Sequence, residues 1–225
     1  MEPLPRTIQV KDNQNLIIDY ATPDIRTELL EFLHLHFYSK SPICYLTDYG
    51  RMAGKRDELV SKCLASRTSV TVRDMAGNLV AVGLNKIETK CPSVSAEVAS
   101  TRTDSFILSL LKSLEEDIDV FTRYNVDKVL DVYMVVVDQQ YGRLGLSTIL
   151  IEIAMELARM NGAGAIKATA VSEYAARTFN KLGFDTVRTI EYVDFEYNGE
   201  KPLAKMRTSL LSEHSRGRFV ARRLP

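Results

Sequence analysis

The chain has 225 residues, 45% apolar and 26% charged, with Lys plus Arg and Asp plus Glu both at 29 and a net charge of +0. This ordinary globular composition excludes disorder, collagen and coiled coil, and at this length one core can bury about 70% of the unfolded surface. No whole-molecule field draws in nucleic acid or an anionic membrane, so any anion site must be local.

One domain over residues 1–225 is expected, because no stretch of linker composition is long enough to separate a second. Met1 to Arg6 shows no apolar signal region, and Val129 to Val137 is far below the roughly 20 residues needed to cross a bilayer. Cys44, Cys63 and Cys91 are odd in number and scattered, with neither metal-type nor redox-type spacing. That pattern fits reduced thiols in a cytoplasmic protein with no metal.

Leu16 to Ala21 reads as a strand, and Thr22-Pro23-Asp24 starts a helix whose apolar face runs Ile25, Leu29, Leu33, Phe37. Ser41-Pro42 ends it. Leu59, Val60, Cys63 and Leu64 mark a shorter helix; Ser69 to Arg73 and Leu79 to Lys86 are strands joined by a hairpin turn at residues 74–78. Ile107 to Phe121 follows helical spacing throughout, leaving Glu115, Glu116 and Asp119 for solvent. Val129 to Val137 is the strongest strand, apolar and β-branched as a centre strand covered on both faces. Residues 138–147 form a glycine loop, followed by a helix whose stripe runs from Leu146 to Met160 and stops at Asn161-Gly162. Ala165 to Ala170 is a buried strand, Glu173 to Leu182 a helix capped by Ser172 and closed by Gly183, and Phe184 to Phe195 a further strand. Arg218 to Leu224 supplies a last one. Lys201 to Pro225, with seven basic residues against Glu213 alone, reads either as a solvated final strand and tail or as an attraction for phosphates.

Strand, glycine loop and helix together are the informative unit. A helix start behind such a loop exposes unpaired backbone N–H groups, and the helix dipole adds partial positive charge. Gly142 and Gly145 clear side chains from that place, and Arg143 adds a cation; phosphate binding and simple tight packing are both served. Neither G-x-x-x-x-G-K-[ST] nor G-x-G-x-x-G occurs, which excludes the P-loop and dinucleotide fingerprints.

VVVDQQYGRLGLSTIL (Val135 to Leu150) and SEYAARTFNKLGF (Ser172 to Phe184) resemble two motifs of the GNAT superfamily of N-acetyltransferases. Within it the chain is similar to the arylalkylamine (dopamine-type) N-acetyltransferases of insects and other invertebrates. Weaker likeness extends from FYSKSP (Phe37 to Pro42) to EYVDFEYNG (Glu191 to Gly199) and the terminal RFVARRL.

The resemblance implies an α/β (α+β) GNAT fold, a twisted mixed central sheet of about seven strands flanked by helices and splayed at the acetyl-CoA site. It implies that Val135, Val136 and Val137 pair with the pantetheine arm of acetyl-CoA, the co-substrate. The diphosphate falls to Gly142, Arg143, Leu144, Gly145, Leu146 and Ser147. On the acetyl-CoA motif [RQ]-x-x-G-x-[GA], Gly142 stands at the Arg/Gln position and Ser147 at the last small one. Small primary amines of arylalkylamine or polyamine type are the implied acceptors, attacking directly in a ternary complex, with the protein a monomer or weak homodimer.

An alkylamine with a pKa near 10.4 must lose a proton before attack. The resembled family does this with a glutamate in Phe-x-x-[DE]-Glu-Pro, where this chain has Ser41; its paired serines fall on Val171 and Ala175, leaving Ser172 as the nearest hydroxyl. Tyr174 aligns with a tyrosine near the thiol and could protonate the thiolate, or else packs on the core. His36 or His34 could replace the base, or simply face solvent; Asp48 and Glu97 are further acids, and the backbone of Met134 to Val136 could polarise the carbonyl. A CoA-binding protein with weak turnover and an acetyltransferase for protein lysines or N-termini are the alternatives.

Overall fold

The computed structural model describes residues 3–41, 44, 57–90, 102–204 and 213–225. Eight strands form one sheet: β1 (Arg6–Gln9), β2 (Asn15–Tyr20), β3 (Val70–Asp74), β4 (Leu79–Thr89), β5 (Lys128–Val137), β6 (Ala165–Ala170), β7 (Asp185–Glu191) and β8 (Arg216–Arg223). They lie in the order β1-β2-β3-β4-β5-β6-β8-β7. Only β5 and β6 are parallel. The helices are α1 (Arg26–Leu33), α2 (Asp57–Ala65), α3 (Arg102–Glu115), α4 (Val120–Tyr124), α5 (Leu146–Met160) and α6 (Glu173–Lys181).

Two apolar layers sandwich the sheet. On one face α5 packs Leu146, Leu150, Ile153 and Leu157 against Ile18, Val70, Val72 and Ala81, while α6 adds Ala176 and Phe179 over Ile166 and Ala168. On the other, α1, α2 and α3 bring Leu29, Leu33, Cys63, Ile107 and Leu110 onto Val82, Leu84, Met134 and Val136. Burial of this apolar surface is the main stabilising term.

The mixed, helix-flanked sheet agrees with expectation, with one strand more. The extra strand, β1, carries a single inward apolar residue, Ile8, between two exposed ones, too little alternation to read from sequence. The helical run from Ile107 to Phe121 is two helices. Asp117 turns left-handed at φ 57°, and Asp119 starts α4 by accepting from the backbone N–H of Phe121 at 3.0 Å and Thr122 at 3.2 Å. Asp119 is thus a cap, a role its hydrogen-bonding side chain favours over a helix interior.

The strand expected over residues 184–195 stops at Glu191, and a 3₁₀ turn (Tyr192–Asp194) buries Tyr192, whose hydroxyl donates to the Val171 carbonyl at 2.7 Å. The basic C-terminal strand is no edge: β8 lies between β6 and β7. Its arginines are engaged, Arg218 with Glu173 at 3.0 Å and Arg216 with Glu191 at 3.2 Å. Of the cysteines, Cys44 and Cys63 are free and buried, and Cys91 lies outside the described residues. Burial, with Asp131 adding to it, pushes the Cys63 thiol up to about 12, so it stays protonated and inert. Among the described residues no helix is long and apolar enough to cross a membrane.

Candidate active site

The site begins where two strands diverge. β5 pairs with β4 from Lys128 to Val137, but with β6 only from Val129 to Val132. Beyond Ala168, β6 stays with β8 through Thr169 and Ala170. Among the described residues no strand lies beside the edge of β5 from Tyr133 to Val137, and its outward amide groups face a cleft of about 320 Å³. Ser147 on α5, Ser172 and Tyr174 at the start of α6 and Thr178 further along it line the other side. An extended, amide-bearing molecule can add to such an edge as a strand would.

A bulge sits where the strands diverge. Leu84 pairs with Met134 and Asn85 with Val132, which leaves Tyr133 as an extra residue in β5. The extra residue reverses the side-chain alternation. Val132 and Val135 thereby pack with the α5 layer, whereas Tyr133 and Met134 pack with the α1 and α3 layer.

At the other end of β5 the glycine loop is held from both sides. Asp138 accepts from the Gln140 N–H at 3.0 Å, and the Tyr141 hydroxyl donates to Asp74 at 3.0 Å, tying the loop to the β3–β4 turn. Arg143 and Gly145 both take left-handed geometry, φ 65° and 80°. Gly145 is the N-cap of α5 and has no side chain to offer its first turn. The N–H groups of Leu146, Ser147 and Thr148 are thus left for a ligand or water, with the dipole of a 15-residue helix behind them. Gly142 is small for a local reason: a Cβ there would lie 2.9 Å from the Gln139 carbonyl oxygen. The long side chain of the usual motif cannot be added without moving that turn.

A second cavity, about 910 Å³, opens on the opposite side of the divergence. Phe37, Ile107, Leu111, Met134 and Tyr197 supply apolar wall, and the floor is lined by charged side chains. Phe37, Val132, Tyr133, Met134, Thr169 and Val171 line both spaces, so the two meet at the bulge.

No family model matches the sequence. Among solved structures, arylalkylamine N-acetyltransferase 2 from Aedes aegypti aligns at TM-score 0.82 and 21% identity, covering 93% of this chain and 99% of that one. The putative arylalkylamine N-acetyltransferase 7 from the same mosquito aligns at 0.84 and 16%, covering 99% and 97%. The polyamine N-acetyltransferase of Drosophila melanogaster, which forms N-acetylagmatine, aligns at 0.77 and 21%, covering 93% and 100%. The fold is the GNAT fold.

Within this GNAT fold the anticipated site residues distribute unevenly. Val135, Val136, Val137 and Ser147 line the cleft, and Gly142 to Leu146 form the loop at its end. Tyr174 is 57% exposed and lines the cleft, but its hydroxyl donates to Glu213 and its ring packs edge-on to His214 at 4.9 Å. The hydrogen bond to Glu213 raises its pKa, so the phenol remains a proton donor at neutral pH. Ser172 lines the cleft while its hydroxyl caps α6, accepting from the Ala175 N–H at 3.2 Å. Replacing Ser172 with alanine is expected to cost about 1 kcal/mol of stability through the lost cap, while asparagine keeps the cap without the hydroxyl. Thermal melting of both variants beside their activity separates a capping role from a chemical one; equal activity in Ser172→Asn and wild type removes the hydroxyl from the chemistry.

His36 sits in a π-helical segment (His34–Tyr38) that continues α1, with Nδ1 3.5 Å from Asp138 and its ring 4.6 Å from Phe32. It lines the cleft, but beside Asp138 it stands at the loop end of β5. Asp138 follows Tyr133 by five residues, which is about 17 Å of strand away from the bulge. His34 is exposed, and Asp48 and Glu97 lie outside the described residues. Ser41 is 6% exposed, lines the cleft, and its hydroxyl oxygen has no hydrogen-bond partner among the described residues.

Sequence reading missed an ionic row across the floor of the larger cavity. Lys86, Asp131 and Lys167 stand in register on β4, β5 and β6. Lys86 approaches Asp131 at 3.3 Å and Glu88 at 3.0 Å; Lys167 approaches Glu88 at 2.8 Å and Glu115 of α3 at 3.1 Å. Burial alone would lower both lysines, but Asp131 and the glutamates outweigh it and raise them. Burial would raise Glu88, yet Lys167 and Lys86 hold it below its ordinary value. One local signal existed: Asp131 interrupts an otherwise apolar strand core.

Proposed function

We propose that this protein is an acetyl-CoA-dependent N-acetyltransferase for small primary amines, acting in the cytoplasm through a ternary complex. The observation that carries this is the meeting of two spaces at one bulge, a narrow cleft along an unpaired strand edge and a roomier cavity behind it. The cofactor fits what the residues present. The backbone of Tyr133 to Val137 would hold the pantetheine amides, and the N–H groups from Arg143 to Ser147 the diphosphate. Arg143 in the loop and Lys40 on the cleft wall supply local positive charge in a chain whose net charge is +0. Bound there, acetyl-CoA supplies an activated acyl thioester.

With the diphosphate at the loop, the thioester end of the arm falls toward the bulge, where the amine cavity opens. Phe37 and Val171 line that junction with apolar surface and limit water. Backbone N–H groups of Met134 to Val136 are the candidates for polarising the carbonyl, a role indifferent to side chain. Tyr174, protonated at neutral pH, is the candidate donor to the leaving thiolate once released from Glu213. The Drosophila structure with this fold is described as a polyamine acetyltransferase and the mosquito ones as arylalkylamine enzymes, which supports an amine acceptor. Folded protein given acetyl-CoA and a panel of aryl and aliphatic amines is expected to release free thiol; silence across the panel overturns the reading.

A second reading, a CoA-binding protein with little turnover, is favoured by Ser41. A neutral hydroxyl stands where the resembled family has its glutamate. Tight CoA binding by calorimetry without thiol release selects it.

A further inference from the structure

Resting on the acetyl-CoA cleft of that reading, we propose that Lys40 is a site of self-acetylation, taking its acetyl group from the acetyl-CoA bound in its own cleft.

The position comes first. The segment from His36 to Ser41 runs along the cleft: His36 stands beside Asp138 at the loop end, and Phe37 lines the junction of the two spaces. A tight turn then keeps Lys40 and Ser41 next to Phe37. Their backbone N–H groups both donate to its carbonyl, at 3.1 and 2.6 Å, and both residues line the cleft. Among the described residues lining the cleft, Lys40 is the one with a primary amine. Its amine rides on a flexible four-carbon stem, so it can sweep the wall toward the thioester end of a bound pantetheine arm.

Charge makes the second step. Lys40 is exposed and makes no ion pair among the described residues. The lysines on the floor of the larger cavity differ: Lys86 is held by Asp131 and Glu88, and Lys167 by Glu88 and Glu115. A neighbouring carboxylate favours the protonated, unreactive form of an amine. Beside Lys40 there is instead Ser41, a neutral hydroxyl that is 6% exposed, faces the same cleft and has no hydrogen-bond partner among the described residues. A buried hydroxyl left without a partner is costly, and it marks the place where a polar group of a ligand completes it. A glutamate at this position would have put a carboxylate next to the ammonium; serine leaves the amine to water, which can take its proton.

In the step itself one N–H bond of the Lys40 ammonium breaks and its proton passes to water. The nitrogen lone pair bonds the acyl carbon as the carbon–sulfur bond breaks, and the departing thiolate takes a second proton from nitrogen. Ammonium and thioester become N-acetyl-lysine, free thiol and one proton. Proximity supplies the rate, because an amine tethered beside a bound thioester acts at an effective concentration that no free amine reaches. The product is neutral, so the wall loses one local positive charge and holds the next anionic cofactor less firmly.

The test incubates the full chain with acetyl-CoA and no amine, then maps acetylated lysines by peptide mass spectrometry. Lys40 is expected to react at least about tenfold faster than Lys11 and Lys181, exposed lysines that line neither space. The rate is expected to be independent of protein concentration, with one free thiol released per acetyl-lysine. Acetyl phosphate, which has no pantetheine arm, is expected to show no preference for Lys40, and Gly145→Glu is expected to lose the preference with acetyl-CoA. By calorimetry Lys40→Gln, neutral like the acetylated side chain, is expected to bind CoA about two- to fivefold more weakly than Lys40→Arg, the worth of an exposed ion pair. If Lys40 reacts no faster than Lys11 in protein that binds CoA and acetylates added amines, this inference is overturned and the acetyltransferase reading is spared. A preference for Lys40 that acetyl phosphate shares, or a rate that rises with protein concentration, overturns it as well. Equal CoA affinity in Lys40→Gln and Lys40→Arg overturns the loss of affinity on acetylation. Lys40 acetylation without acetylation of any added amine keeps the inference and sinks the small-amine reading, whereas absence of CoA binding sinks both.

Discussion

Gly145→Glu is expected to abolish CoA binding, a loss of at least about 100-fold in affinity by calorimetry. Two separable effects meet at this position. Its φ of 80° strains any residue with a Cβ, at about 1–2 kcal/mol. Nothing lies within 4 Å of where that Cβ would be, so bulk itself clashes with no protein atom. Glutamate, however, brings a negative charge to the uncapped start of α5, the place proposed for a diphosphate. It can also occupy the first-turn N–H groups as a cap would. Gly145→Ala isolates the strain and is expected to weaken binding by no more than about tenfold. If the glutamate variant, folded by melting temperature, binds CoA as the wild type does, the diphosphate does not sit at this loop.

The second large effect is on stability. Lys167→Met is expected to destabilise the fold by about 1–3 kcal/mol at pH 8, because it leaves Glu88 and Glu115, both only partly exposed, without the cation they share. Lys167 is 12% exposed, but Glu88 at 28% and Glu115 at 39% are reached by solvent, and that screening keeps the cost below that of a fully buried pair. The sign with pH follows from the carboxylates. In the wild type Glu88 is held low, so its contribution is complete above the ordinary glutamate range and fades as pH falls. In the variant the uncompensated acids are pushed up instead, and protonation relieves them. The difference between variant and wild type should therefore shrink from pH 8 to pH 5. Urea denaturation at both values checks it; a deficit that is constant with pH would assign the loss to packing against Phe219, whose ring centroid lies 6.0 Å from the ammonium.

The site was legible from sequence to different depths along β5. Its loop end was clear because every device there is local: Gly145 as the cap, Asp138 bonding two residues on, Ser147 in the first turn. The bulge end was not. Val132 and Tyr133 look like an uninterrupted apolar strand, and the phase change appears only when Leu84 and Asn85 are laid beside them. Glu115 was read as a solvent residue of its own helix, since nothing nearby in the chain names Lys167 and Thr169 as its partners. Tyr174 and Ser172 both line the cleft; Ser172 caps its own helix through the Ala175 N–H, whereas the bond of the Tyr174 hydroxyl to Glu213 depends on how the chain before β8 returns.

The amino-acid sequence alone determined most of the elements and their apolar faces. β-branched runs, helical spacing, Ser172 as a cap and Gly162 and Gly183 as stops act through neighbours within a few residues, where backbone sterics and local hydrogen bonds decide. Tertiary structure alone decided which strands pair and for how long. β8 enters between β6 and β7 and holds Thr169 and Ala170, so β6 departs from β5 after Ala168 and leaves the edge from Tyr133 onward open. Each strand edge can bond only one neighbour at a time, and that competition between segments as far apart as residues 130 and 220 is settled in the packed sheet, not in the local chain.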